Sequence, residues 1–89
     1  MVVYEENVKK AVAKGSLPKN LFKRFNNVFI AIDTTHDLSL FDIKKLKSSE
    51  NRIYFRVRKG KYRAIFYVED NSYYVISIAK REEVYDKWE

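Results

Sequence analysis

Nine of the eighteen Lys and Arg residues of this chain fall between Lys44 and Arg63, in KKLKSSENRIYFRVRKGKYR, where Glu50 is the only acidic residue. Side chains of these types, so concentrated, suit one task above others, which is holding a polyanion. Guanidinium groups grip phosphate oxygens bidentately and stay charged at any working pH. Ile53, Phe55 and Val57 alternate with Tyr54, Arg56 and Arg58, the period-two spacing of a strand with one face in a core and one in water. The wet face is then basic and aromatic. Lys59-Gly60 reads as a tight hairpin loop in which glycine supplies the positive φ, and Tyr62-Arg63 opens the next strand. With a loop of those two residues, Arg56 lies directly across from Arg63. Like charges so placed cost a few tenths to about 1 kcal/mol, and a polyphosphate backbone bound over both would offset that cost.

The rest of the chain must position this hairpin. Val2 to Tyr4 is short, β-branched and aromatic, and suits a strand of a sheet completed later. Glu5 to Lys14 reads as a helix, acidic in its first turn, with Gly15 placed to end it. Ser16 is a candidate cap for a second helix that accepts Pro18 in its first turn. Along that helix Leu21, Phe22, Phe25, Val28, Phe29 and Ile32 recur at helical spacing as one wide apolar stripe, ending near Asp33, where DTTHDLS offers turn residues. Leu40 to Leu46 reads either as one or two further turns or as an extended lead-in. Tyr62 to Glu69 is apolar on nearly both faces, as a central strand covered on both sides should be. A turn at Glu69 to Ser72 leads to a last strand at Tyr73 to Ala79. The expected architecture is one α+β domain over residues 1–89, two N-terminal helices on a small, mainly antiparallel sheet in the order β-α-α-β-β-β.

At 89 residues there is room for one modest core. A hydrophobic fraction of 46% and an aromatic fraction of 16% mark a folded chain. With no Cys, disulfides and thiolate metal sites are excluded. No apolar run approaches the ~18 residues of a membrane span, and the start, MVVYEEN, lacks a signal-peptide pattern, so the sequence reads as soluble and cytoplasmic with no membrane partner. The net charge of +6 points to an acidic partner, either nucleic acid or an acidic protein segment.

The order strand, two helices, LK loop, RVRKGKYRAIFYVED hairpin, hydrophobic strand and terminal KREEVY resembles the RelE/ParE toxin superfamily, and within it the RelE-like ribonuclease branch. The likeness is distinct from Lys44 to Tyr85 and architectural before that. It implies a RelE-like fold and a toxin of a type II toxin–antitoxin system that cleaves messenger RNA, commonly on the ribosome, and is held inactive by a cognate antitoxin. Residue by residue, it implies catalytic roles for Arg56, Arg63, Arg81 and Tyr85. Lys47 in the preceding loop and Tyr54 fall at positions that contact RNA, joined by Arg58 on the same wet face. Tyr54 stands where RelE has Lys, and the spacing to the C-terminal pair is shorter here. The ParE branch shares the fold and targets DNA gyrase, so fold alone does not decide function.

The chemistry this set can support, with neither metal nor cofactor, is attack of the RNA 2′-hydroxyl on the adjacent phosphorus with expulsion of the 5′-oxygen. That requires a base, an acid and cations around the phosphorane. Arg56, Arg63 and Arg81 fit the last task, and Tyr85 fits stacking on a base or orienting the nucleotide. For proton transfer the candidates are Lys47, Tyr54, Glu82 and Glu83, because the only histidine, His36, falls in the DTTHDLS loop. Against the nuclease stand a catalytically silent binding protein, either a ParE-like gyrase inhibitor or a degenerate homologue that still binds an antitoxin, and a plain RNA binder. Trp88 either packs on a helix or meets the antitoxin.

Overall fold

Apolar residues recur every three to four positions early in the chain and every two positions later, which dictates helices first and a sheet afterwards. The computed structural model describes residues 1–46 and 52–80. In order these form β1 (Val2–Tyr4), α1 (Glu6–Lys14), α2 (Lys19–Thr35), a 3-10 turn (Leu38–Leu40), β2 (Ile43–Lys45), β3 (Tyr54–Lys59), β4 (Tyr62–Glu69) and β5 (Ser72–Lys80). The strands make one sheet in the order β1-β5-β4-β3-β2. All neighbours are antiparallel except β1, which runs parallel to β5. This is the expected α+β arrangement with one strand more. That strand, β2, resolves the open reading of Leu40 to Leu46 in favour of extension. The 3-10 turn is held by Asp37, whose side chain accepts from the Ser39 N–H.

Both helices lie on one face of the sheet. Phe25, Val28, Phe29 and Ile32 of α2 are buried and meet Val57, Ala64, Phe66, Tyr73, Val75 and Ile78 from the strands. Val8 and Leu17 extend this core beneath α1. Phe29 packs edge-on against Phe66, with ring centroids 5.2 Å apart. The central strand β4 is buried continuously from Arg63 to Tyr67, as its two apolar faces require. No helix among the described residues is long and apolar enough to cross a membrane.

Three local readings are corrected. Ser16 does not cap α2. Pro18 occupies the N-cap position, and the Ser16 hydroxyl donates instead to the Ala11 carbonyl, closing the end of α1. The second helix runs past Asp33 to Thr35, because the Thr34 and Thr35 hydroxyls fold back onto the Ile30 and Ala31 carbonyls and leave no competing turn. It ends at His36, in the left-handed conformation at φ 54°, with Nδ1 2.9 Å from the Tyr73 hydroxyl. The hairpin loop is Gly60-Lys61 rather than Lys59-Gly60, so Arg58 pairs with Arg63 and Arg56 pairs with Ile65. Gly60 takes φ +62° as the first loop residue, the place for glycine in a type II′ hairpin, whereas the expected register put it second. The like-charged pair across the sheet exists, one residue nearer the loop.

Tyr4 fastens β1 to α2. Its hydroxyl donates to Asn26 Oδ1 at 2.8 Å, and burial pushes the phenol far above the ordinary tyrosine range. A phenol whose folded pKa is raised contributes stability in full below its unfolded value of about 10 and loses it as pH climbs toward the folded value. Tyr73 is shifted the same way, by burial and then by Asp33. Thermal melting followed from pH 8 to 12 is therefore expected to fall above about pH 10, and Tyr4→Phe, though less stable at neutral pH, should show a shallower alkaline decline.

Candidate functional site

The helices cover one face of the sheet, and the other carries the basic residues. Cross-strand partners project to the same side, so the register defines three rows on this second face. Nearest the hairpin loop are Asp42, Arg58, Arg63 and Ala79; next come Lys44, Arg56, Ile65 and Ser77; then Leu46, Tyr54, Tyr67 and Tyr74. A bulge in β5 between the partners of Ile65 and Phe66 inserts Ile76 between the last two rows. Ile65 and Leu46 are buried here with Tyr54, Ile76 and Ala79 packed against them, a small second core that stiffens the floor under the charges.

Asp42 organises the cationic rows. Its Oδ2 lies 2.6 Å from Arg58 Nε and its Oδ1 lies 3.5 Å from Arg56 Nη2. The Arg58 N–H donates to the Asp42 carbonyl at 3.0 Å, which fixes the two residues opposite each other independently of their side chains. The Arg56 side chain is only 11% exposed, and its buried Nε has no hydrogen-bond partner among the described residues. A buried unpaired donor costs about 1–3 kcal/mol, so this arginine is held at an energetic cost. Arg58 is exposed. Arg63 is 4% exposed and its Nη1 donates to the Gly60 and Tyr62 carbonyls at 3.3 and 3.1 Å. Those bonds compensate the burial of a guanidinium and tie it to the hairpin loop.

The third row is aromatic. Tyr67 stacks on Tyr74 with centroids 4.9 Å apart and planes 12° apart, and meets Tyr54 edge-on at 5.9 Å. Arg52 lies over the Tyr67 ring, 4.0 Å from its centroid. A hydrogen bond with Tyr54, aided by Glu69 at 3.4 Å, holds Arg52 further into its charged form. Desolvation raises the Tyr67 phenol, a shift that the Arg52 charge opposes.

Of the residues singled out in the sequence, Arg56, Arg58 and Arg63 come together on adjacent strands, and Tyr54 stands on the same face beyond Arg56. Lys47, Arg81 and Tyr85 lie outside the described residues, as do Glu82, Glu83 and Trp88. His36 is exposed, on the helix cap. Sequence reasoning missed Asp42, Lys44, Arg52, Tyr67 and Tyr74 as members of this face. Among the described residues no three His, Cys, Asp or Glu side chains gather to hold a metal ion. What the arrangement can do chemically is present guanidinium and ammonium groups to phosphate at one end and aromatic side chains at the other.

Two N-terminal helices on one face of a five-stranded mixed sheet make a RelE-like α+β fold. The RelE–RelB complex of the archaeon Pyrococcus horikoshii OT3 matches with a TM-score of 0.70 and 28% identity, over 90% of this chain and 92% of that one. The RelB–RelE antitoxin–toxin complex of Methanococcus jannaschii matches with a TM-score of 0.72 and 25% identity, over 94% and 95%. No protein-family model and no curated protein matches the sequence.

Proposed function

We propose that this protein is the toxin of a toxin–antitoxin pair and acts as a metal-independent endoribonuclease on messenger RNA at the ribosome. The observation that carries the reading is the fold shared with RelE over nine-tenths or more of the chain. The paired arginines on the sheet face opposite the helices support the location of the site. In this reading the 2′-oxygen attacks the adjacent phosphorus, the bond to the 5′-oxygen breaks, and the products carry a 2′,3′-cyclic phosphate and a 5′-hydroxyl. One proton leaves the 2′-hydroxyl for a base and one reaches the departing 5′-oxygen.

Arg56, Arg63 and Arg81 balance the charge of the phosphorane, Arg58 and Lys47 hold flanking phosphates, and Tyr85 orients the nucleotide. Arg63 contributes from below the surface, where a charge is poorly screened. The antitoxin binds across the basic face with an acidic or amphipathic segment. Tyr54 in place of lysine favours a second reading, a silent or ParE-like binding protein that still engages an antitoxin.

Primer extension on a message translated in a cell-free system tests the proposal. New ends within the reading frame are expected with the wild-type protein and are expected to vanish with Arg81→Ala and with Tyr85→Ala. An intact message and undiminished translation would remove the nuclease reading and direct the next assay to gyrase.

A further inference from the structure

The two arginines of β3 on the sheet face opposite the helices stand two residues apart on one strand, close enough for their charges to repel and for flexible side chains to splay. They do not splay, because one carboxylate touches both: Asp42 meets Arg58 Nε at 2.6 Å and Arg56 Nη2 at 3.5 Å. Among the described residues no other carboxylate contacts either arginine. An ordinary surface ion pair contributes little, but this one differs in two respects. The Arg56 side chain is 11% exposed, and the Asp42 backbone is clamped by the Arg58 N–H. The contact to Arg58 uses the Nε edge, and among the described residues its two terminal nitrogens make no ion pair. The Arg58 side chain as a whole is 53% exposed.

A carboxylate beside a phosphate site weakens anion binding by repulsion. Its presence there is explained if it serves geometry. We propose that Asp42 is a positioning residue of the ribonuclease site, holding Arg56 and Arg58 in the spacing at which Arg56 meets the reacting phosphate and Arg58 the phosphate that flanks it. This rests on the ribonuclease reading above. It separates binding from turnover: Asp42 costs affinity and gains rate, because misplacing a catalytic group by about 1 Å can cost on the order of 100-fold.

The test is single-turnover cleavage of ribosome-bound message by wild type, Asp42→Asn and Asp42→Glu over a range of protein concentrations, with thermal melting of each. For Asp42→Asn the half-saturating concentration is expected to stay level or fall, while the limiting rate drops roughly 10- to 100-fold. Asp42→Glu, which restores the charge, should recover part of the rate. An unchanged or higher limiting rate in Asp42→Asn would overturn the proposal and leave Asp42 as a screening charge. Equal losses in both variants accompanied by lower melting temperatures would overturn it in favour of a fold-holding contact. If the wild-type protein itself does not cleave, the ribonuclease reading fails and the positioning role falls with it, an outcome distinct from an active wild type indifferent to Asp42.

Discussion

Arg56→Ala is expected to reduce the limiting rate of RNA cleavage about 100-fold or more, the usual consequence of removing one preorganised donor from a site where charge develops. Arg56 is the described cation best prepared for that role. Its side chain is 11% exposed and held by Asp42, its Nε has no partner among the described residues, and Ile65 lies across from it as a rigid apolar neighbour. A donor already desolvated and fixed needs no reorganisation when the phosphorane forms. The loss should appear in the limiting rate and the second-order rate alike, the signature of an interaction made in the transition state. Arg56→Lys keeps the charge without the planar fork and should fall between the two. A half-saturating concentration that rises while the limiting rate holds would assign Arg56 to ground-state binding only.

The second large effect concerns the platform. Phe29→Ala removes a ring that is 0% exposed and is packed edge-on against Phe66 at 5.2 Å and Tyr4 at 6.3 Å. Truncating a fully buried phenylalanine costs about 3–5 kcal/mol, against a total of roughly 5–15 kcal/mol for a domain. With about 4–8 °C per kcal/mol at this size, the melting temperature should fall by roughly 12 °C or more. Ile30, the next residue on the same helix, is 50% exposed, and Ile30→Ala should change stability by about 0.5 kcal/mol or less. Differential scanning calorimetry of the two variants reads the contrast directly. Similar shifts for both would mean that α2 does not bury the Phe25/Phe29 stripe against the sheet.

Why some of this was legible in the sequence and some was not is a matter of range. The stripe on α2 and the alternation on β3 are properties of neighbouring residues, so the elements and the face that each buries could be read from spacing alone. Gly15 ends α1 at φ +82°, as a glycine directly after Lys14 at the end of the helical pattern suggests. Register is different. Gly60 fits either loop position of a tight hairpin, and its place as first loop residue decides that Arg58, not Arg56, faces Arg63. The strand β2 is three residues long, too short for a periodicity to declare itself, and its Lys44-Lys45 portion looks like any charged loop.

The site was legible to the same extent. Arg56 and Arg58 follow from alternation and Arg63 from its place opening the next strand. The burial of Arg63 does not follow, because it arises from the central position of β4 and from the carbonyls of the loop it sits above. Asp42 gains its role only once β2 pairs with β3, a contact between residues far apart in sequence, so no local signal marks it. The Tyr54, Tyr67 and Tyr74 row likewise exists only across three strands, through a β4–β5 register that a bulge displaces.

The measurement that tests the central claim most directly is cleavage of ribosome-bound message in which the ribose at the mapped cleavage position carries hydrogen in place of the 2′-hydroxyl. If the arginine face promotes attack by that hydroxyl, cleavage at this nucleotide is abolished while the unmodified message is cut to leave a 5′-hydroxyl end. Continued cleavage of the modified message, or a 5′-phosphate on the product of the unmodified one, would contradict the account.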